Sequence, residues 1–175
     1  MIRRSAIAGM LASALMVGGC LLSATFVVQV LFRDSDMGDH TVRYHKLVDI
    51  TTEPDWQDNK DKIHTIELVG FQLWITNNIQ GNSFNLYVDD GDDPEQMTRA
   101  DVDANTTKII NALALPAGEQ RYVRYSESLR LLQNEDILKA LVKEGKFHFY
   151  ATSKNPNIDF TLDSVRVIVT LSAGN

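Results

Sequence analysis

The chain has 175 residues, with 23 acidic and 17 basic side chains, one cysteine and 44% hydrophobic residues. This composition is ordinary for a single folded domain, and it excludes a disulfide-stabilised scaffold, a collagen-like repeat and a disordered acidic tail. The chain shows no internal repeat and no low-complexity tract, so one folded domain is predicted.

The first twenty residues have the three parts of a secretory signal. The basic pair Arg3-Arg4 precedes an apolar stretch from 6 to 17 and then the run Val17-Gly18-Gly19-Cys20. This run resembles the lipobox of bacterial lipoproteins, in which the cysteine is lipidated and becomes the mature N-terminus. The resemblance implies lipidation at Cys20, whose thiolate is the nucleophile that takes the lipid group.

The same segment also fits an uncleaved membrane anchor. Residues 6 to 32 carry no charged side chain, and about 20 apolar residues are enough to span a bilayer. The arginines would then stay in the cytoplasm, with the acidic remainder outside. We favour the lipoprotein interpretation because helix-forming residues give way to strand-forming Thr, Phe and Val near Cys20.

Both interpretations place the folded part in the cell envelope, outside the cytoplasm. Without Arg3 and Arg4, 15 basic residues face 23 acidic ones. The resulting negative field disfavours nucleic acid and anionic lipid surfaces as partners, so membrane contact is expected through the N-terminal lipid or helix. We predict a signal peptide or part of an anchor at 1–19, a lipidated tether or first strand at 20–39, and a β-sandwich domain at 40–175.

Alternating apolar and polar residues predict strands through most of the exported chain. They cover 23–32, 41–50, 66–75, 84–88, 106–113, 120–125, 147–151 and 158–171. The strands 84–88 and 147–151 each have one apolar face, which predicts burial on one side only. Asn- and Gly-rich residues 77–82 are typical of a hairpin connection.

Two of the predicted strands change their apolar face midway. The changes fall near Gly70 and at Asp163-Ser164. Each indicates either a bulge in one continuous strand or a tight corner between two strands. A strand that bends at the second position would contribute to both layers of a sandwich.

Helical patterns are scarce. Residues 58–63 predict a single turn, and 126–144 predict a helix with an apolar face that ends at Gly145; Asn134 is the alternative start. Together with the strands, these patterns predict an all-β, antiparallel β-sandwich of immunoglobulin-like or jelly-roll kind, with one short helical connection after the N-terminal signal or anchor helix.

Four aspartates follow the strand 84–88, namely Asp89, Asp90, Asp92 and Asp93. They are weak candidates for calcium ligands, since calcium takes several carboxylate oxygens. Their spacing does not match the EF-hand loop. A solvated loop that protects a sheet edge explains them better.

No catalytic pattern stands out. His40, His45, His64 and His148 lack the close spacing of zinc ligands, and His45 and His148 fall within predicted strands, where an outward-facing or hydrogen-bonded histidine is the simpler interpretation. The chain has no Gly-x-Ser-x-Gly elbow, phosphate-binding loop or dinucleotide fingerprint. We therefore predict no enzyme and no cofactor; an extracytoplasmic hydrolase that uses loop carboxylates is an alternative with little support.

Two tryptophans are candidates for a contact surface with a carbohydrate or protein partner, because aromatic rings offer flat apolar area with a polar edge. Trp74 alternates with Leu73 and Ile75, so it is expected to face away from the core. Burial under the helical segment is the preferred interpretation of Trp74. Trp56 follows the turn at Pro54 and is expected to close one end of the sandwich.

These features predict a membrane-anchored envelope lipoprotein whose sandwich is a binding or structural module. A single-pass accessory subunit of a membrane complex is the alternative, because Gly18 and Gly19 would allow close helix contact.

Overall fold

The computed structural model describes residues 23–28, 43–62, 65–77, 82–153 and 160–172. These residues form eight strands and four α-helices, and the fold is all-β. The strands are β1 (Ser23–Val28), β2 (Arg43–Asp49), β3 (Thr65–Asn77), β4 (Asn82–Asp90), β5 (Thr107–Leu115), β6 (Gln120–Val123), β7 (Lys146–Ser153) and β8 (Phe160–Ser172). The helices are α1 (Pro54–Asn59), α2 (Arg99–Asn105), α3 (Tyr125–Leu131) and α4 (Glu135–Glu144).

The strands form two four-stranded antiparallel sheets. Sheet A has the order β1-β8-β3-β6, and sheet B has the order β2-β7-β4-β5. Because β3 and β4 lie in different sheets, the predicted hairpin at 77–82 is wrong, and the chain crosses between sheets there. Apolar residues of both strands belong to one core, where they are removed from water.

One hydrophobic core unites the two sheets. The residues that sheet A contributes include Val69, Phe71, Leu73, Ile75, Val123, Val165 and Val169. Those from sheet B include Tyr44, Val48, Phe84, Leu86, Val88, Ile110 and Phe147. An apolar cavity of about 40 Å³ lies among these side chains.

Both predicted changes of face correspond to register shifts in the β3–β8 pair. One lies between Ile66 and Leu68, and the other places Trp74 opposite Ser164 but Ile75 opposite Leu162. The second shift confirms the bulge at Asp163. The first shift lies before Gly70, so the glycine is not part of the bulge. Glycine suits this position for a different reason, because a Cβ there would be 2.5 Å from the Tyr125 ring of α3. Each strand is continuous within sheet A, so β8 does not serve both sheets.

The predicted helix 126–144 is two helices, and the single helical connection is therefore wrong. Leu132 has extended backbone, and Asn134 has a positive φ of 53°, so the chain turns before α4. The side chain of Asn134 does not cap the helix; its amide donates to the backbone oxygen of Lys108 at 2.9 Å. The predicted end of α4 is confirmed at Gly145, whose φ is 87°.

Helix α3 completes the edge of sheet A. Strand β6 pairs with β3 only from Leu73 to Thr76. Further along β3, the backbone N–H of Phe71 donates to the hydroxyl of Ser128 at 3.0 Å, and that hydroxyl donates to the backbone oxygen of Tyr125 at 2.8 Å. Ser128 is fully buried, so a side chain of α3 takes the place of the missing strand partner.

Helices α1 and α2 lie in connections between strands. The turn predicted at 58–63 begins earlier, because Pro54 suits the first turn of α1; a 3-10 helix at Lys60–Lys62 follows. Helix α2 was not predicted. Its signal is a capping box, in which the side chains of Thr98 and Asp101 each accept a backbone N–H of the other residue.

Candidate functional site

Part of the outer face of sheet B is covered by another segment of the chain. Strands β4 and β7 were predicted to be buried on one side only, but their outward-facing residues Tyr87 and Tyr150 are also buried. Tyr150 lies between Tyr87 of β4 and His45 of β2 in register. The connection from Gly91 to Thr106 lies over this row, and we call it the flap.

Helix α2 anchors the flap. Val102 is its only buried residue and packs with Tyr87 and Tyr150 in a small second core. The Tyr87 hydroxyl donates to the Asp103 carboxylate. Arg99 donates through Nη1 to the backbone oxygen of Ser153 at 2.7 Å. Apolar burial and two polar contacts therefore join α2 to β4 and β7.

A chain of hydrogen-bonding groups joins the first half of the flap to the sheet. His45 Nε2 lies 2.6 Å from His148 Nδ1, and His148 Nε2 lies 3.0 Å from the backbone oxygen of Asp93. At the other end, His45 Nδ1 lies 3.2 Å from a carboxylate oxygen of Glu95. The interpretation of these histidines as hydrogen-bonded is confirmed. Their pairing, and the part of Glu95 in it, were not predicted.

A further contact holds the flap beside this chain. The backbone N–H of Gln96 donates to the Tyr150 hydroxyl at 3.0 Å. The ring of Tyr150 lies 5.0 Å from the ring of His45, centroid to centroid. Tyr150 is fully buried, so its hydroxyl joins the flap to a side chain of sheet B that lies beneath it.

The four candidate calcium ligands form a hydrogen-bonded turn. Asp89 accepts from the N–H of Asp90 at 3.0 Å, and Asp90 accepts from the N–H of Asp92 at 2.9 Å. Asp92 also pairs with Nζ of Lys146 at 2.6 Å. In the part of the chain that the structure describes, no group of three or more His, Cys, Asp or Glu residues is arranged to hold a metal ion. Calcium binding, including at Asp93, stays a prediction.

Two carboxylates of this turn have shifted pKa values of opposite sign. Burial raises the pKa of Asp89, and the charge of Asp93 adds to the increase, although the N–H of Asp90 and the neighbouring His148 oppose it. The hydrogen bond and charge of Lys146 lower the pKa of Asp92. The same contact raises the pKa of Lys146.

The outer face of sheet A carries an open cluster, which we call the platform (Gln72, Trp74, Tyr122 and Arg166). Trp74 faces away from the core, as predicted, and its ring stacks on Tyr122 with centroids 4.4 Å apart and an angle of 17°. Gln72 donates to the Tyr122 hydroxyl at 3.0 Å and accepts from Arg166 at 3.4 Å. Tyr122 is 38% exposed. Trp74 thus packs on Tyr122 of the neighbouring strand β6. The contact of helix α3 with strand β3 is at Gly70.

Trp56 does not belong to a contact surface, which corrects that part of the prediction. Its side chain is 8% exposed and belongs to the main core. A Cβ at Gly145 would lie 3.1 Å from the Trp56 ring. Trp56 is buried because α1 lies close to the end of α4, and the two helices enclose its indole ring.

The predicted lipidation residue Cys20 lies outside the described residues, as do His40, His64 and the proposed signal segment 1–19. None of the helices in the described ranges is both long and apolar enough to cross a membrane.

The chain matches no protein-family model and no curated protein. Among solved structures, it is similar to a chain in the structure of infectious bursal disease virus Gx strain. The two share 13% identity and a TM-score of 0.40, over 88% of this chain and 33% of the viral chain. It is also similar to dimeric latent PorU from Porphyromonas gingivalis, with 11% identity and a TM-score of 0.38 over 86% of this chain and 13% of that one. The chain therefore spans a third or less of the structures it resembles. Nothing in these comparisons or in the described residues indicates catalysis.

Proposed function

We propose that this chain is a membrane-anchored envelope lipoprotein whose exported β-sandwich is of the jelly-roll kind and binds a carbohydrate. The strand order supports the jelly-roll form. The first four strands pair with the last four in nested order, β1 with β8, β2 with β7, β3 with β6 and β4 with β5. A long antiparallel hairpin wrapped into two sheets has this order, and jelly rolls include lectin domains.

The platform is the observation that carries the binding function. The rings of Trp74 and Tyr122 stack on each other, and Tyr122 is 38% exposed, so the pair offers aromatic contact area to solvent. The amide of Gln72 and the guanidinium of Arg166 lie beside it. A sugar ring has an apolar C–H face and a rim of hydroxyl groups. It fits a site in which rings supply contact area and a few polar groups fix the orientation.

The size of the exposed apolar area favours a carbohydrate over a protein partner. Among the side chains that the structure describes, which leave out those of β1 and of both ends of β8, the exposed large hydrophobic residues are Leu47, Met97, Tyr122 and Ile137, each in a different part of the fold. A stable protein interface usually buries about 800 Å² on each partner around a contiguous apolar centre. Separate side chains do not provide such a centre, whereas one aromatic pair is sufficient for a sugar ring.

Binding is tested with the full chain in detergent on an array of neutral and acidic glycans. We expect at least one glycan class to bind, and we expect Trp74→Ala to weaken that binding by about tenfold or more because the ring contact is lost. Trp74→Phe should retain part of the affinity. Met97→Ala is the control, because Met97 is 71% exposed and lies on the flap. Binding to no glycan, or unchanged binding by Trp74→Ala, would reject the platform as a carbohydrate site.

The anchor is tested by mass spectrometry of the mature N-terminus. A lipid-modified N-terminal Cys20 is expected, together with unprocessed precursor and no lipid labelling in Cys20→Ala. An intact terminus at Met1 or Ile2 would instead support the single-pass accessory subunit. Normal processing of Cys20→Ala would exclude lipidation at this cysteine.

A further inference from the structure

The His45–His148 chain has three contacts, and each contact needs one N–H group. The contacts are between the two rings, between His148 and the backbone oxygen of Asp93, and between His45 and the Glu95 carboxylate. Two neutral imidazoles carry one N–H each. A neutral pair therefore supplies two hydrogens for three contacts, so that in one contact two acceptors face each other.

One additional proton completes the chain. His45 then donates from Nδ1 to Glu95 and from Nε2 to His148 Nδ1, while His148 donates from Nε2 to Asp93. A second additional proton would occupy His148 Nδ1, which lies 2.6 Å from the Nε2–H of His45. Two donors would then face each other between two positive rings. With Glu95 as a carboxylate, all three contacts are satisfied only while the pair has a charge of plus one.

Among the side chains that the structure describes, the groups around the pair compensate this single positive charge. The flap contributes Glu95 and Asp93, β4 contributes Asp89, whose carboxylate interacts electrostatically with His148, and β7 contributes the ring of Tyr150. The charged groups among these are carboxylates. The histidine rings have low exposure, since the side chain of His45 is 16% exposed and His148 is 6% exposed, so an unmatched donor or acceptor there costs more than it would in water.

We propose that His45 and His148 form a pH-dependent clamp on the flap. The clamp holds residues 91–97 against sheet B while the two rings share one additional proton, and it releases them when the pair loses that proton or gains a second one. Histidine changes charge between about pH 5 and 8, so the number of N–H groups available for the three contacts depends on pH. The flap should therefore be closed most tightly at an intermediate pH.

Release should be confined to the first half of the flap. Helix α2 is held by the burial of Val102 and by the bond from Arg99 to Ser153, and neither involves the histidine pair. Opening of residues 91–97 would uncover His148 and the Tyr150 hydroxyl, which now accepts from Gln96. The clamp thus regulates access to the outer face of sheet B, and it does not depend on the platform of sheet A.

Hydrogen–deuterium exchange of the full chain tests the clamp. Protection in peptides covering residues 91–97, corrected for the intrinsic pH dependence of exchange, should be greatest at intermediate pH. It should fall by about tenfold or more on each side, because a hydrogen bond to a charged group is lost. Protection of 99–105 should change far less. Constant protection of 91–97 across the range, or equal changes in both segments, would overturn the proposal.

The variant Glu95→Gln separates the clamp from a merely structural contact. A glutamine amide can donate to a neutral His45 Nδ1, so two neutral rings would then complete the chain. The loss of protection at alkaline pH should disappear while the loss at acidic pH remains. Glu135→Gln is the control, because it also removes a carboxylate, one paired with Lys139 at 3.1 Å on α4, and should leave both losses unchanged. An unchanged profile in Glu95→Gln would refute the clamp.

The ring nitrogens provide a direct measurement. Nitrogen-15 NMR of the histidine rings should show both nitrogens of His45 protonated at intermediate pH, with His148 protonated at Nε2 only. Two neutral rings at that pH would contradict the proton count on which the clamp rests.

Discussion

The outer faces of the two sheets start from similar residues and end in different environments. On sheet A, Trp74 and Tyr122 stack and leave Tyr122 exposed. On sheet B, Tyr87 and Tyr150 also lie side by side, but both are buried beneath the flap. The difference is not in the strands, since each carries aromatic residues that alternate with core residues. It comes from the connection between β4 and β5, which is long enough to cover a face.

The comparison shows that an aromatic row can serve two purposes. Where a connection supplies an apolar anchor such as Val102, the row becomes part of a second core. Where no such anchor covers the rings, the row is accessible to a ligand. If the two faces differ in this way, matched substitutions on them should have different effects on stability.

The largest difference is expected between Val102→Ala and Trp74→Ala. Val102 is fully buried, and removing its methyl groups should lower the free energy of unfolding by about 2 kcal/mol and loosen the flap. Trp74→Ala should cost about 1 kcal/mol, mainly the stack on Tyr122. Chemical denaturation measures both. A larger loss in Trp74→Ala would mean that the face of sheet A is the more tightly packed one.

The next largest loss of stability is expected for a substitution of Gly91, at the start of the flap. A Cβ there would lie 2.8 Å and 2.9 Å from the backbone carbon and oxygen of Lys146, so Gly91→Ala should cost about 1 to 3 kcal/mol by overpacking. Gly118→Ala is the control. A Cβ at Gly118 meets nothing within 4 Å, and its φ of +66° is the only source of strain, which should cost about 1 kcal/mol. The two melting transitions compare these costs, and equal losses would show that Lys146 moves aside.

Removing one hydroxyl from each face should have a smaller effect. Tyr150→Phe leaves the N–H of Gln96 without its buried acceptor and should cost about 1 kcal/mol. Tyr122→Phe removes an exposed contact with Gln72 and should change stability by less than about 0.5 kcal/mol. Denaturant titration of both variants provides the comparison. A cost for Tyr122→Phe equal to that for Tyr150→Phe would show that the two hydroxyls are equally enclosed.

The smallest effect concerns pH. Because the pKa of Asp89 is raised in the folded protein, its ionisation disfavours folding, and stability falls as pH rises from the ordinary aspartate value through the raised one. Asp89→Asn should therefore stabilise the protein at neutral pH, with no gain in strong acid. Asp92→Asn should do the opposite at neutral pH, because the pKa of Asp92 is lowered. Denaturation at several pH values measures both, and a loss of stability at neutral pH in Asp89→Asn would show that its attraction to His148 outweighs its burial.

Local patterns account for what the sequence predicted well. Alternation identified the strands, the change of face at Asp163 identified a bulge, and Gly145 identified the end of α4, because each depends on residues close together in the chain. The outward orientation of Trp74 followed from the same alternation. These features need no knowledge of which strands become neighbours.

The His45–His148 chain could not be predicted because its parts are distant in sequence. His45 and His148 are 103 residues apart, and only the pairing of β2 with β7 brings them together. Tyrosine and histidine on an outer face are also typical of exposed residues, so nothing in β7 itself indicates a cover. The readable clue was the capping box at Thr98, which marks a helix with a single buried valine; the surface that this valine covers depends on tertiary structure.

The bond from Phe71 to Ser128 has a consequence for self-association. A sheet edge with free N–H groups is a template on which another molecule can add a strand. Where β6 ends, a hydroxyl group already occupies the N–H of Phe71, and a helix cannot be extended by a further strand. If the proteins are crowded on a membrane, each copy meets its neighbours constantly, and α3 then protects this edge against aggregation.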